Sequence, residues 1–291
     1  MSNLVKQNAG LKSPKAWLKL IISIPITAII IFSQAITNGV VASTPIPPLF
    51  KTAIGEIIPL LLATIFMIVL GGRKWLGIDK NSVKYAFKVG WPFLTLGIAG
   101  SLWNIISSTR EGVSFAQGVL VNFIAVVLVC LLIGFFEEIL YRGVNFGAML
   151  GVFGGSKVLI MFAVIFCCWT FGRVHVTSLS FDDPLLFGQS FLKIIQTGMF
   201  GITMCDIVMH TKKIGGAALL HATNDFLLMV TGALYEGKSV SGQYTIADAS
   251  TGRLVIITYL IMIAVYLYPT IRSIIRIWRD YDKCYGPFVK E

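Results

Sequence analysis

Eight runs of about 20 apolar residues divide the sequence, and they leave its backbone few choices. They cover roughly 17–39, 53–72, 86–106, 115–136, 157–177, 185–209, 214–234 and 253–272. A hydrocarbon layer ~30 Å thick is crossed by ~20 residues of helix. In lipid a helix satisfies its own N–H and C=O groups, whereas an open strand cannot. The expectation is an all-α membrane protein of about eight transmembrane helices. Composition agrees: 56% of the 291 residues are hydrophobic and only 13% are charged, against about 25% charged in a soluble domain.

No internal repeat is visible, and the polar stretch 236–253 reads as an external loop, so residues 1–291 are expected to form a single membrane domain. The first run, Trp17 to about Gly39, is longer than a signal-peptide core of ~7 to 15 residues and is read as a retained span.

The formal charge of +10 does not point to nucleic acid, because the basic residues cluster between the apolar runs in an alternating pattern. One set of connections holds Lys6, Lys12, Lys15 and Lys19, then Arg73, Lys74, Lys80, Lys84 and Lys88, then Lys157, then Lys212 and Lys213, then Arg272, Arg276, Arg279, Lys283 and Lys290. The other set holds only Lys51, Arg110, Lys238 and Arg253. Positive charge accumulates on the cytoplasmic side, so both termini are expected there, in a plasma membrane if the source is bacterial. From Pro269 through Lys290, arginines mix with Trp278, Tyr281, Tyr285 and Phe288, which suits a helix leaving the bilayer and lying on its anionic face. Of the five cysteines, Cys130, Cys167, Cys168 and Cys205 lie in apolar runs and Cys284 does not. With no CxxC spacing, they read as small buried thiols.

Charged groups inside such runs are costly. An acidic residue at the centre of a span costs about 2.5 to 3.5 kcal/mol, so the stretch GFFEEILYRGV, 134–144, demands a reason. Glu138 and Arg142 are one turn apart and can pair on one face. Glu137 points ~100° away and has no such partner in its own helix. It must find a donor or a metal elsewhere, and an unpaired carboxylate is the group a general base requires. Two of the three histidines repeat the one-turn device: FGRVH sets Phe171 beside His175, and HATND sets His221 beside Asp225. His210, next to two lysines at a span end, reads as interfacial.

Depth links these motifs. The turn GVFGGS, 151–156, separates the fourth and fifth runs; at 1.5 Å per residue, Glu137 lies ~25 Å before its middle and His175 ~31 Å after it. In an antiparallel hairpin the two come level, provided the fourth helix continues past Glu137 to about Leu150. His221 lies ~10 Å into the seventh run. Two glutamates, two histidines and an aspartate around one cavity have the makings of a hydrolytic site. GxSxG and HExxH are both absent.

At these residues the sequence resembles the CPBP family, also called Abi or type II CAAX prenyl endopeptidases, a group of intramembrane proteases. The family pattern is EExxxR, then FxxxH, then HxxxN or HxxxD, on separate spans; here Glu137, Glu138 and Arg142, Phe171 and His175, and His221 and Asp225 match it in order, over about residues 110–235. The resemblance implies a peptidase acting on membrane proteins or lipidated peptides within the bilayer. In it Glu137 and His175 activate water, His221 and residue 225 stabilise the oxyanion, and Arg142 holds Glu138.

Many members carry Asn where this chain has Asp225, and an ionised carboxylate cannot donate to an oxyanion. Asn224 is adjacent but turned ~100° away. Glu137, His175 and His221 could hold zinc in an open three-ligand site; the glutamate could equally act without a metal, which is the expectation adopted. Two non-proteolytic readings stay open at this point: a bacteriocin-immunity or scaffold protein of the same fold, and a proton-coupled transporter.

Overall fold

The computed structural model describes residues 13–176, 179–238, 245–283 and 286–288. Cys284 and Tyr285 lie outside the described residues. Among the described residues, eight helices are long and apolar enough to cross a membrane: α1 Pro14–Ala42, α2 Pro48–Val69, α3 Lys80–Arg110, α4 Val119–Phe153, α5 Lys157–Val174, α6 Pro184–Thr211, α7 Ile214–Leu234 and α8 Ala249–Arg279. Each of the eight expected runs lies largely within one of them, and α4 runs on past Glu137 as the depth argument required.

Local chemistry sets the helix starts. Pro14, Pro48 and Pro184 open α1, α2 and α6, where the missing N–H costs nothing. Side chains cap α3, α5, α6 and α8: Asp79 accepts from Ser82 N in a capping box, Ser156 from Leu159 N, Asp183 from Leu185 N and Leu186 N, and Asp248 from Thr251 N. The Thr251 N–H holds the exposed Asp248 carboxyl down to about 2.

The helices are arranged around α6 and α7, whose most apolar windows are 61% and 50% buried, against 17% for α1 and 22% for α8. α7 packs against α4 on one side and α3 on the other, α6 against α5 and α8, and α2 joins α1 to α4. The outer surface is apolar: Ile24, Val69, Trp103 and Leu120 are all more than half exposed, which suits a protein solvated by lipid chains. The polar residues are turned inward, among them Glu138, Arg142, Asp206 and His221.

Small residues let the backbones touch, as is common between helices in lipid. At Gly134 a Cβ would lie 2.7 Å from Ala218 O and 2.8 Å from Ala222 N, so α4 and α7 are in main-chain contact just before Glu137. At Gly172 it would lie 2.4 Å from Ile194 O, which joins α5 to α6. At the other end of α7, Ala116 N donates to Leu234 O at 2.8 Å and Glu236 N to Ser114 O at 3.0 Å.

After α8 the chain packs back onto α1, α4 and α5. Lys19 Nζ donates to Phe288 O at 3.2 Å, a Cβ on Gly147 would meet Pro287 at 2.8 Å, and Lys157 lies over the rings of Trp278 and Tyr281 at 4.7 and 4.9 Å. Cys130, Cys167, Cys168 and Cys205 are free and buried, as expected.

Candidate active site

The site grows out of a change of helical type inside α4. Glu137 closes an α-helical stretch, Glu138–Asn145 is π-helical, and α-geometry resumes at Phe146. Such segments often mark functional sites. Nothing in the pattern EExxxR signals one, and the sequence led to an unbroken α-helix here.

Glu138 and Arg142 are both fully buried, and Arg142 Nη1 donates to Glu138 Oε1 at 3.0 Å. The guanidinium carbon lies 4.0 Å from the centre of the Phe171 ring, a cation–π contact. A Cβ on Gly201 would lie 2.8 Å from Arg142 Nη2, so α6 leaves room for the guanidinium by having no side chain there.

The same Glu138 Oε1 takes a second hydrogen bond, 2.8 Å from His221 Nδ1. That bond assigns the Nδ1 proton and directs Nε2 into the site. There His221 Nε2 stands 3.6 Å from Glu137 Oε2 and 3.5 Å from Asp225 Oδ2. His175 is held the same way: Nδ1 lies 2.8 Å from Phe171 O, and Nε2 faces Glu137 Oε2 at 3.8 Å. Phe171 and Phe200 close the apolar side, with ring centres 6.0 and 5.0 Å from His221.

Two imidazole nitrogens thus converge on one carboxylate oxygen, which has no hydrogen-bond partner among the described residues. Separations of 3.6 to 3.8 Å are too long for direct hydrogen bonds and are the kind of gap that water bridges. Accessibility follows the same division. The Glu137, His175 and Asp225 side chains are 18 to 20% exposed, while Glu138 and Arg142 are sealed. Asn224 is buried beside them, its Oδ1 without a partner among the described residues. Among the described residues no group of three or more His, Cys, Asp or Glu is arranged to hold a metal ion, the zinc candidates Glu137, His175 and His221 included.

Two charged residues near the site escaped the sequence reading. Glu56 of α2 is buried, accepts from Gln34 Nε2 at 2.7 Å and adds its charge to the field at Glu137. Lys193 of α6 acts electrostatically on Asp225 and Glu137. Each is a lone charge in an apolar run, which was signal enough, but neither belongs to a motif. His210, in the last turn of α6, is half-buried in a separate network: its Nδ1 lies 2.8 Å from Asp206 Oδ1, and Arg276 Nε donates to Asp206 Oδ2 at 2.8 Å.

These features define a class: a polytopic membrane protein with a carboxylate–imidazole centre buried among its helices. Residues 119–227 match the family model of the Rce1-like type II CAAX prenyl endopeptidases. The matched segment contains every residue of the three motifs. No curated protein and no solved structure matches the chain.

Proposed function

We propose that the protein is an intramembrane endopeptidase that hydrolyses peptide bonds of membrane-embedded or lipidated substrates with water activated by Glu137 and His175. The observation that carries this reading is the convergence of His175 Nε2 and His221 Nε2 on Glu137 Oε2, at 3.8 and 3.6 Å. Water in that gap is oriented by the lone pair of His175 Nε2 and loses a proton to Glu137. Its oxygen bonds to the scissile carbonyl carbon, and the carbonyl π pair moves onto oxygen. In its protonated form His221, with Nδ1–H on Glu138, offers Nε2–H to that oxyanion. When the intermediate collapses, the C–N bond breaks and the proton on Glu137 passes to the departing nitrogen.

The reaction core is assigned to about residues 110–235 of a single domain, and the lysine and arginine asymmetry puts both termini in the cytoplasm. The test is incubation of the purified protein in bilayers with a library of membrane peptides, with products identified by mass spectrometry. Cleavage is expected from the wild type, and at least ~100-fold less from Glu137→Gln, the lower scale of general-base catalysis. Undiminished turnover by that variant would remove Glu137 from the mechanism.

A further inference from the structure

Residue 225 poses a chemical problem for the proposed reaction, because an ionised carboxylate has no proton to give an oxyanion. Arg142 cannot serve, being fully buried between Glu138 and the Phe171 ring. α6 supplies another cation. Lys193 is its one lysine. Phe200, about two turns further along the helix, packs on His221 at 5.0 Å, and between them Gln196 Oε1 accepts from Lys193 Nζ at 3.3 Å. The depth also matches. The neighbouring Ile194 presses its carbonyl against Gly172, three residues before His175, which sets Lys193 level with the end of α5. From there its charge acts on Asp225, Glu137 and His175.

We infer that the Lys193 ammonium donates a hydrogen bond to the oxyanion of the tetrahedral intermediate, and that Asp225 holds the ammonium in position. This rests on the peptidase reading. No bond to Lys193 forms or breaks; it stabilises the electron pair displaced onto the carbonyl oxygen and keeps its protons. An Asn at 225 would supply an amide donor itself, so Lys193 and Asp225 together replace what one amide can do.

The test is a double-mutant cycle read as kcat and KM separately. Lys193→Met should lower kcat by about 100-fold, the loss seen when one oxyanion donor is removed, with KM nearly unchanged. Lys193→Arg should keep most of the rate. In an Asp225→Asn background the cost of Lys193→Met should shrink at least ~10-fold, since the amide then donates. An unchanged kcat in Lys193→Met, or an equal loss in both backgrounds, overturns the inference. If Lys193→Met does not fold, Lys193→Leu, which also lacks a donor, carries the same comparison.

A second readout needs no turnover: affinity for a peptide phosphonate, whose tetrahedral anion imitates the intermediate. It should fall at least ~10-fold in Lys193→Met, while binding of the matching peptide amide stays constant. A wild type that cleaves no peptide would refute the peptidase reading alone. Equal phosphonate affinity in wild type and variant would refute the role of Lys193.

Discussion

One oxygen of Glu138 serves two partners, accepting from Arg142 at 3.0 Å and from His221 Nδ1 at 2.8 Å. Through that atom the buried guanidinium fixes an imidazole that faces Glu137, so in the proposed reaction Glu138 positions and Glu137 reacts. A single experiment addresses both the role of Asp225 and the metal. Asp225→Asn is expected to keep or raise activity, with chelators harmless and no stoichiometric zinc by elemental analysis. One zinc per chain, lost together with activity on chelation, would instead make His175 and His221 ligands. At this scale the sequence disclosed which polar groups meet, because one-turn spacing places two side chains on one face whatever surrounds them. It did not disclose Lys193 or Glu56, whose partners lie on other helices and leave no mark on local spacing.

The helices that carry these groups are set by contacts with no room for a methyl group. At Gly134 a Cβ would fall 2.7 and 2.8 Å from main-chain atoms of α7, which cannot swing aside as a side chain can. Gly134→Ala should therefore push α4 from α7 and lower kcat at least ~10-fold, given that misplacement by 1 Å can cost ~100-fold. Gly151→Ala, with nothing within 4 Å of its Cβ, is the control and should be neutral. Comparable rates for the two variants would show that the α4–α7 contact does not set the site. The position of each helix was legible from hydropathy, and the continuation of α4 from the depth argument. The π-helical segment Glu138–Asn145 was not legible, since helical type depends on packing between helices rather than on residue pattern.

Two sets of buried charge tie helices together: Glu138 with Arg142 and His221, and Asp206 with Arg276 and His210. Removing one partner of a buried pair costs about 3 to 5 kcal/mol, so Arg142→Ala should unfold far more readily than the wild type in a reversible denaturation in mixed micelles. Glu138→Gln with Arg142→Met should be better tolerated than either change alone. A double variant no more stable than both singles would show that the pair does not act as a unit. The number of spans could be read in advance because lipid permits a single solution per apolar run; how the eight pack together could not, because small residues such as Gly134 and Gly172 gain their meaning from the helix opposite.

The bond between Glu138 and His221 spans 83 residues of chain, and this has a consequence for biogenesis. At roughly 5 to 20 residues per second a ribosome needs about 4 to 17 s to cover that distance. During that interval α4 is already made, and its own Arg142 is the one partner Glu138 has within the helix. A nascent chain halted after α6 should therefore be held at the insertion machinery or degraded, whereas one halted after α7 should partition into the bilayer. Pulse-labelled truncations ending at 212 and 238, separated by alkaline extraction, should differ in this way; equal extraction of both would show that α4 enters the membrane without waiting for α7.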